Sequence, residues 1–153
     1  MKNDTPEGGI YIERKVFYSA AYQALSKNGR MVLLALLDAR QINPAFKKSL
    51  KQGFRADRYV DLDRIKMPYT KLEGVFGLAR TSIPRAIDEL LAKGFIEIKH
   101  AGGTGEHDMT IYALVEDYLG WTEHKIFRQR QRDIRRGYQG TRNAGTDNFR
   151  AQK

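Results

Sequence analysis

The chain predicts a mainly α fold with a small β-hairpin, an α+β arrangement, and three observations point to it. Apolar residues recur at helical spacing in "FYSAAYQALSKNGRMVLLALLDAR" and again in "ARTSIPRAIDELLAKG". Two runs rich in β-formers, "FIEIKH" and "MTIYALV", follow the second helical stretch and are joined by the glycine-rich "AGGTGEHD", the pattern of a hairpin. A length of 153 residues suits one domain with a real core. The expected division is a flexible N-terminal segment over 1–15, a folded domain over 16–120 and a basic C-terminal extension over 121–153.

Taken in order, Tyr18, Tyr22 and Leu25, then Val32, Leu33, Leu36 and Leu37, predict a short helix and a longer one, with Asn28-Gly29 interrupting between them. From Arg40 the period is lost, and the basic "FKKSLKQGFRADR" reads as a loop with one helical turn. Val60, Leu62 and Ile65 alternate with polar neighbours and predict a short extended segment. Pro68 favours extended backbone at Met67 and helix initiation after it. Leu72, Val75 and Phe76 share a helical face, and Gly77 is placed to end that helix in a left-handed conformation. A tight turn leads to a helix from about Ser82 to Lys93. Ile83, Ala86, Ile87, Leu90 and Leu91 form its inward stripe, and Arg80, Thr81, Ser82, Arg85 and Asp88 its outward one. With Thr81 or Ser82 as N-cap, Pro84 falls in the first turn, where its missing N–H has no partner to lose. After Trp121 a helix is expected through about Arg136 from Ile126, Phe127 and Ile134, with disorder beyond Gly137.

Charge sharpens the picture. Residues 124 to 153 hold nine Lys or Arg, among them Arg128, Arg130, Arg132, Arg135 and Arg136, against two acids, a net of +7, whereas residues 1 to 123 carry the remaining +2. A basic arm on a nearly balanced body is expected of chains that bind polyanions. A composition 41% hydrophobic and 29% charged, with no apolar run of membrane-spanning length, argues against a membrane protein. The polar start "MKNDTPEGG" and the absence of cysteine point to the cytoplasm, and the latter removes thiolate chemistry.

The span from about Met67 to Leu114 resembles the winged helix-turn-helix domains of bacterial and phage DNA-binding proteins, and "GLARTSIPRAIDELLAKGFIEI" is similar to their turn, recognition helix and first wing strand. Gly77 falls where the family's turn glycine does, Leu78 at the apolar position after it, and Arg80, Thr81, Ser82 and Arg85 at positions that in the family approach DNA. Ala79 stands where a capping Ser is common, and Pro84 where a helical contact residue is more usual. The stretch from Phe17 to Leu37 resembles the leading helix of such proteins, including mobile-element regulators and replication-associated proteins, so the likeness extends loosely over residues 16 to 118.

The resemblance implies a sequence-specific reader of double-stranded DNA, a transcriptional regulator in the bacterial cytoplasm or nucleoid. An α-helix fits the major groove, and Arg donates bidentately to guanine, so Arg80 and Arg85 are the principal candidates, with Thr81 and Ser82 reaching phosphates or base edges. Lys71 on the preceding helix and Lys99 and His100 on the hairpin join the set. Arg128, Arg130, Arg132, Arg135 and Arg136 are the candidates for phosphate contact. Two other roles fit the same domain: a plasmid or phage replication-initiation or partition component, and, of another class, a winged-helix protein-interaction module, since a fold does not determine its function. A second copy of the chain is a candidate partner, through the helices at Phe17 to Leu37 or Ile126 to Arg136.

No catalytic centre, metal or cofactor is expected. His100, His107 and His124 are scattered, and "GEHD" sits on a glycine-rich turn without a rigid ligand pair. "AGGTGEHD" lacks the Lys-Ser/Thr of a phosphate-cradling loop. Asp61 and Asp63 fall on one side of a strand, the spacing of ordinary surface acids.

Overall fold

The computed structural model describes residues 8 to 53, 56 to 103 and 105 to 130. Among them the chain is mixed α+β, with six helices and two small antiparallel sheets. None of these helices is long and apolar enough to cross a membrane.

Two single-turn helices, α1 (Arg14–Phe17) and α2 (Ala20–Gln23), lead into α3 (Lys27–Asp38). The break expected at Asn28-Gly29 falls earlier, because Ser26 caps α3 with a hydroxyl that accepts from Gly29 N at 3.0 Å. Gly29 therefore lies in the first helical turn. A Cβ there would stand 2.5 Å from Glu89 Oε2, so this glycine permits a close approach between helices and marks no turn.

The stretch expected to be a loop with one helical turn is more ordered than that. It holds β1 (Gln41–Ile42), α4 (Pro44–Lys51) and β2 (Tyr59–Val60), with Gln41 opposite Val60 and Ile42 opposite Tyr59. Asn43 caps α4 by accepting from Ala45 N at 3.0 Å, and Pro44 occupies the first turn. Buried Ser49 accepts from Ala56 N at 3.1 Å and closes the segment. Arg40 ties it to the body. Its side chain, 4% exposed, donates to Leu37 O and to Glu13 Oε1, each at 2.8 Å, and stacks on Tyr59 with the guanidinium 3.8 Å from the ring centroid.

The extended stretch expected over residues 58 to 69 is split. Asp61, with a φ of +54°, opens a turn between β2 and β3 (Ile65–Lys66), so Asp61 and Asp63 belong to a turn and not to a strand face. Pro68 then precedes α5 (Tyr69–Gly74), as predicted. Leu72 is fully buried, but Val75, expected on the same inward face and still helical in its backbone as the C-cap of α5, is 68% exposed. Gly77 follows with a φ of +67° and donates to Glu73 O.

Helix α6 (Ile83–Ala92) buries all five residues of its expected stripe: Ile83, Ala86, Ile87, Leu90 and Leu91. These pack on α3, and each large aliphatic side chain removed from water contributes roughly 1.5–3 kcal/mol. The helix ends in paired closing bonds, Phe95 N to Leu90 O at 3.0 Å and Gly94 N to Leu91 O at 3.3 Å, with Gly94 at a φ of +81°. The hairpin follows: β4 (Ile96–His100) and β5 (Ile111–Leu114), with β5 central in the order β3-β5-β4. Ile98 and Ile65 flank Tyr112 on either side.

A 3-10 turn over Asp117–Gly120 leads to residues 121 to 130. The helix expected through Arg136 does not form in the described residues, and the segment turns over 122–125 and then bonds α6 through Phe127 and Arg130. Phe127 N donates to Ala92 O at 2.8 Å, using one of the carbonyls that the end of α6 leaves free. Gly94 makes room for this, since a Cβ there would meet Phe127 Cδ2 at 2.7 Å and Tyr118 N at 2.9 Å. Arg132, Arg135, Arg136 and the disorder expected beyond Gly137 lie outside the described residues.

Candidate nucleic-acid interface

The turn between α5 and α6 sets the candidate surface. Ser82 N donates to Ala79 O at 2.9 Å, and Ala86 N to Ser82 O at 3.1 Å, so helical hydrogen bonding starts directly from the turn. Ser82 is the N-cap by position, yet its backbone is already helical and its hydroxyl makes no capping bond; Pro84 in the first turn removes one donor that would need a partner. Ser82 is half-buried and Thr81 exposed. Arg80 stands in solvent with its side chain 72% exposed and 3.8 Å from Glu73 Oε2, a loose contact of little energetic weight. Arg85 is exposed on the next turn and forms no ion pair among the described residues. Lys71 is exposed on α5.

The hairpin residues are constrained differently. Lys99 sits 3.4 Å from Glu97 on the same strand face. His100 Nε2 lies 2.6 Å from Asp108 Oδ1 across the base of the loop, which Gly103 N closes by donating to Asp108 O at 3.0 Å. At the tip, Glu106 and His107 project into solvent. No group of three or more metal-capable side chains occurs among the described residues.

Arg128 and Arg130 are not free-standing. Arg128 pairs with Asp117. Arg130 Nε donates to Asp88 Oδ1 at 2.6 Å, and its Nη2 donates to Pro84 O at 2.9 Å. Burial works against the Arg130 charge, but the hydrogen bonds to Asp88 and Tyr69 outweigh it and hold the guanidinium above its ordinary pKa. Pro84, Asp88 and Ala92 follow one another at i, i+4 and i+8 along α6, so the segment from Phe127 to Arg130 runs as a strap beside that stripe, next to Arg85.

Arg80, Thr81 and Arg85 are therefore each exposed in the turn and first turns of α6, and Lys71 is exposed on the helix before it. Lys99 and His100 belong to the hairpin, Arg130 braces the flank of α6, and Arg128 is tied to Asp117 of the 3-10 turn. The strap escapes sequence reasoning, because nothing local marks Asp88 as the partner of a residue 42 positions away. Compared with family models, with curated proteins and with solved structures, the chain matches none.

Proposed function

We propose that the chain is a sequence-specific double-stranded DNA-binding protein of winged helix-turn-helix type, acting as a transcriptional regulator. In this reading α6 enters the major groove, the β4–β5 hairpin lies alongside as the wing, and the basic C-terminal extension contacts phosphates. One observation carries it: α6 is anchored by a fully apolar stripe while Arg80, Thr81 and Arg85 stand exposed at its start, with no strong partner among the described residues. An exposed arginine on a rigid helix has the reach and the two-pronged donor geometry to read guanine in the major groove. The positive end of the helix dipole favours phosphate at the same place.

Selection of bound duplexes from a random pool tests this. The intact chain is expected to enrich one sequence. The Arg80→Ala/Arg85→Ala protein should bind that sequence roughly 100-fold more weakly, on 1–3 kcal/mol per base contact. Unaltered sequence preference in the double variant refutes the reading.

A further inference from the structure

The near-neutral charge of residues 1 to 123 conceals two opposed regions. Residues 59 to 123, which contain α6 and the hairpin, hold seven Lys or Arg against eleven acids, a net of −4. Residues 39 to 58, which include β1 and α4 and lead into β2, hold six Lys or Arg against one acid, a net of +5. Apart from the C-terminal extension, the strongest positive charge is thus on the segment whose local pattern predicts little more than a loop.

Arg40 is buried against Glu13, but the lysines of α4 are available. Lys47, Lys48 and Lys51 are exposed on α4, and none forms an ion pair among the described residues. Lys47 and Lys51, one turn apart, share a face. At the foot of the helix the Arg58 guanidinium lies 4.1 Å from the Tyr11 ring centroid and 4.7 Å from that of Phe46. Two aromatic faces hold its charge in place without neutralising it.

Position separates this surface from the start of α6. Leu114 N donates to Leu62 O, and Leu114 opposes Ile96, so the β1–α4–β2 segment joins the body where the hairpin strands are anchored, opposite the tip at Gly105. Ile87 and Tyr112 line the same small core pocket, and Phe95 O accepts from Val115 N, so α6 runs in the same direction as β5. The start of α6 therefore points toward the tip end of the hairpin, while the β1–α4–β2 segment joins the body at the other end. Ten helical residues span about 15 Å.

We infer that α4, with Lys47, Lys48, Lys51 and Arg58, is a second phosphate-binding surface that takes the backbone of a nucleic-acid segment distinct from the one at α6. Its chemistry fits phosphate better than a protein partner. Among the described residues, α4 itself offers three exposed ammonium groups and one large exposed apolar side chain, Leu50 at 59%, with Ile42 of β1 the other large exposed apolar side chain of the segment, whereas the centre of a protein interface is built of apolar and aromatic groups and is poor in lysine. Lysine contacts add affinity without reading sequence. The α4 surface stands on its own residues; that the chain bridges two duplex segments rests also on the function proposed above.

The test uses the full chain. A site-free duplex is titrated at several salt concentrations with the intact protein and with the Lys47→Gln/Lys48→Gln/Lys51→Gln protein. The triple variant is expected to lower the slope of log affinity against log salt by about 2–3, since each phosphate that a lysine neutralises contributes roughly 0.9. In a second arm, a bead-bound duplex bearing the selected sequence captures a labelled site-free duplex through the protein, and the triple variant should reduce capture about tenfold or more. The corresponding triple Lys→Arg protein should retain capture. An unchanged slope and unchanged capture in the Gln variant overturn the inference, as does loss of both in the Arg variant. So does a triple Gln variant that loses binding to polyglutamate while holding duplex normally, since that assigns the surface to an acidic protein. A failure of the α6 reading looks different: Arg80→Ala/Arg85→Ala leaves sequence preference intact while the Lys47, Lys48 and Lys51 effects persist.

Discussion

Arg85 and Arg130 lie beside the same stripe of α6 and differ in what surrounds them. Arg85 projects into solvent with no ion pair among the described residues, while Arg130 is held by Asp88, by Pro84 O and by Tyr69. The same contrast separates Lys47, Lys48 and Lys51, which are open, from Arg128, which pairs with Asp117. The difference teaches that a count of cations does not measure an available field. What decides is whether a carboxylate lies within reach once the chain is folded. The phosphate role expected of Arg128 and Arg130 would therefore compete with contacts that hold the C-terminal segment to the 3-10 turn and to α6.

Truncation separates bracing cations from available ones most strongly. A chain ending at Arg130 loses six Lys or Arg and two acids and keeps the strap. It is expected to bind duplex at least tenfold more weakly near 0.1 M salt, with the melting temperature nearly unchanged, roughly as the removal of several phosphate-neutralising cations demands. A chain ending at Glu123 also lacks the Phe127 and Arg130 contacts and should melt lower as well. Equal melting temperatures for the two truncations would break the comparison.

A smaller effect is expected from Asp88→Asn, which removes the anchor of Arg130 and a negative charge beside Arg85. Duplex affinity should rise a few-fold. Stability should fall by at most about 1 kcal/mol, because the Asp88 side chain is 53% exposed and solvent screens the pair. Titration of duplex and thermal melting read the two changes separately, and a fall in affinity would show that Arg130 acts through its place on α6.

Tyr118 gives an effect confined to alkaline solution. Burial, with Glu116 and Glu13 nearby, pushes its hydroxyl from 10.0 up to about 12. The folded chain thus holds the proton more tightly than the unfolded one, so the contribution of Tyr118 is complete below about pH 10 and is lost as pH rises toward about 12. Chemical denaturation of the Tyr118→Phe protein should lose less stability across that window than the intact chain. Identical pH profiles would contradict the assignment.

How much of this is legible in the sequence follows from the reach of the interactions. Helix α6 is readable because its stripe from Ile83 to Leu91 repeats within ten residues and its end is marked by Gly94. The hairpin is readable for the same reason. The β1–α4–β2 segment is not, because its order comes from Arg40 bonding Glu13 and stacking on Tyr59, and from Arg58 stacking on Tyr11. Those partners are remote, and no local period announces them. Over the described residues 121 to 130 the expected C-terminal helix does not form, for a related reason: partial periodicity at Ile126 and Phe127 yields to long-range bonds from Phe127 N to Ala92 O and from Arg130 to Asp88. Of the candidate site, the residues at the start of α6 are predictable from local pattern. The bracing role of Arg128 and Arg130 needs the fold.

The claim on which the rest turns is that the open flank at the start of α6 reads bases. The most direct measurement replaces Arg85 alone by Ala and repeats the selection from a random duplex pool with the intact chain as reference. The predicted result is a flattened preference at one base position, worth about 1–3 kcal/mol, with the other positions retained. A fall in affinity spread evenly over all sequences, with every base preference kept, would reduce Arg85 to a phosphate contact and contradict the claim.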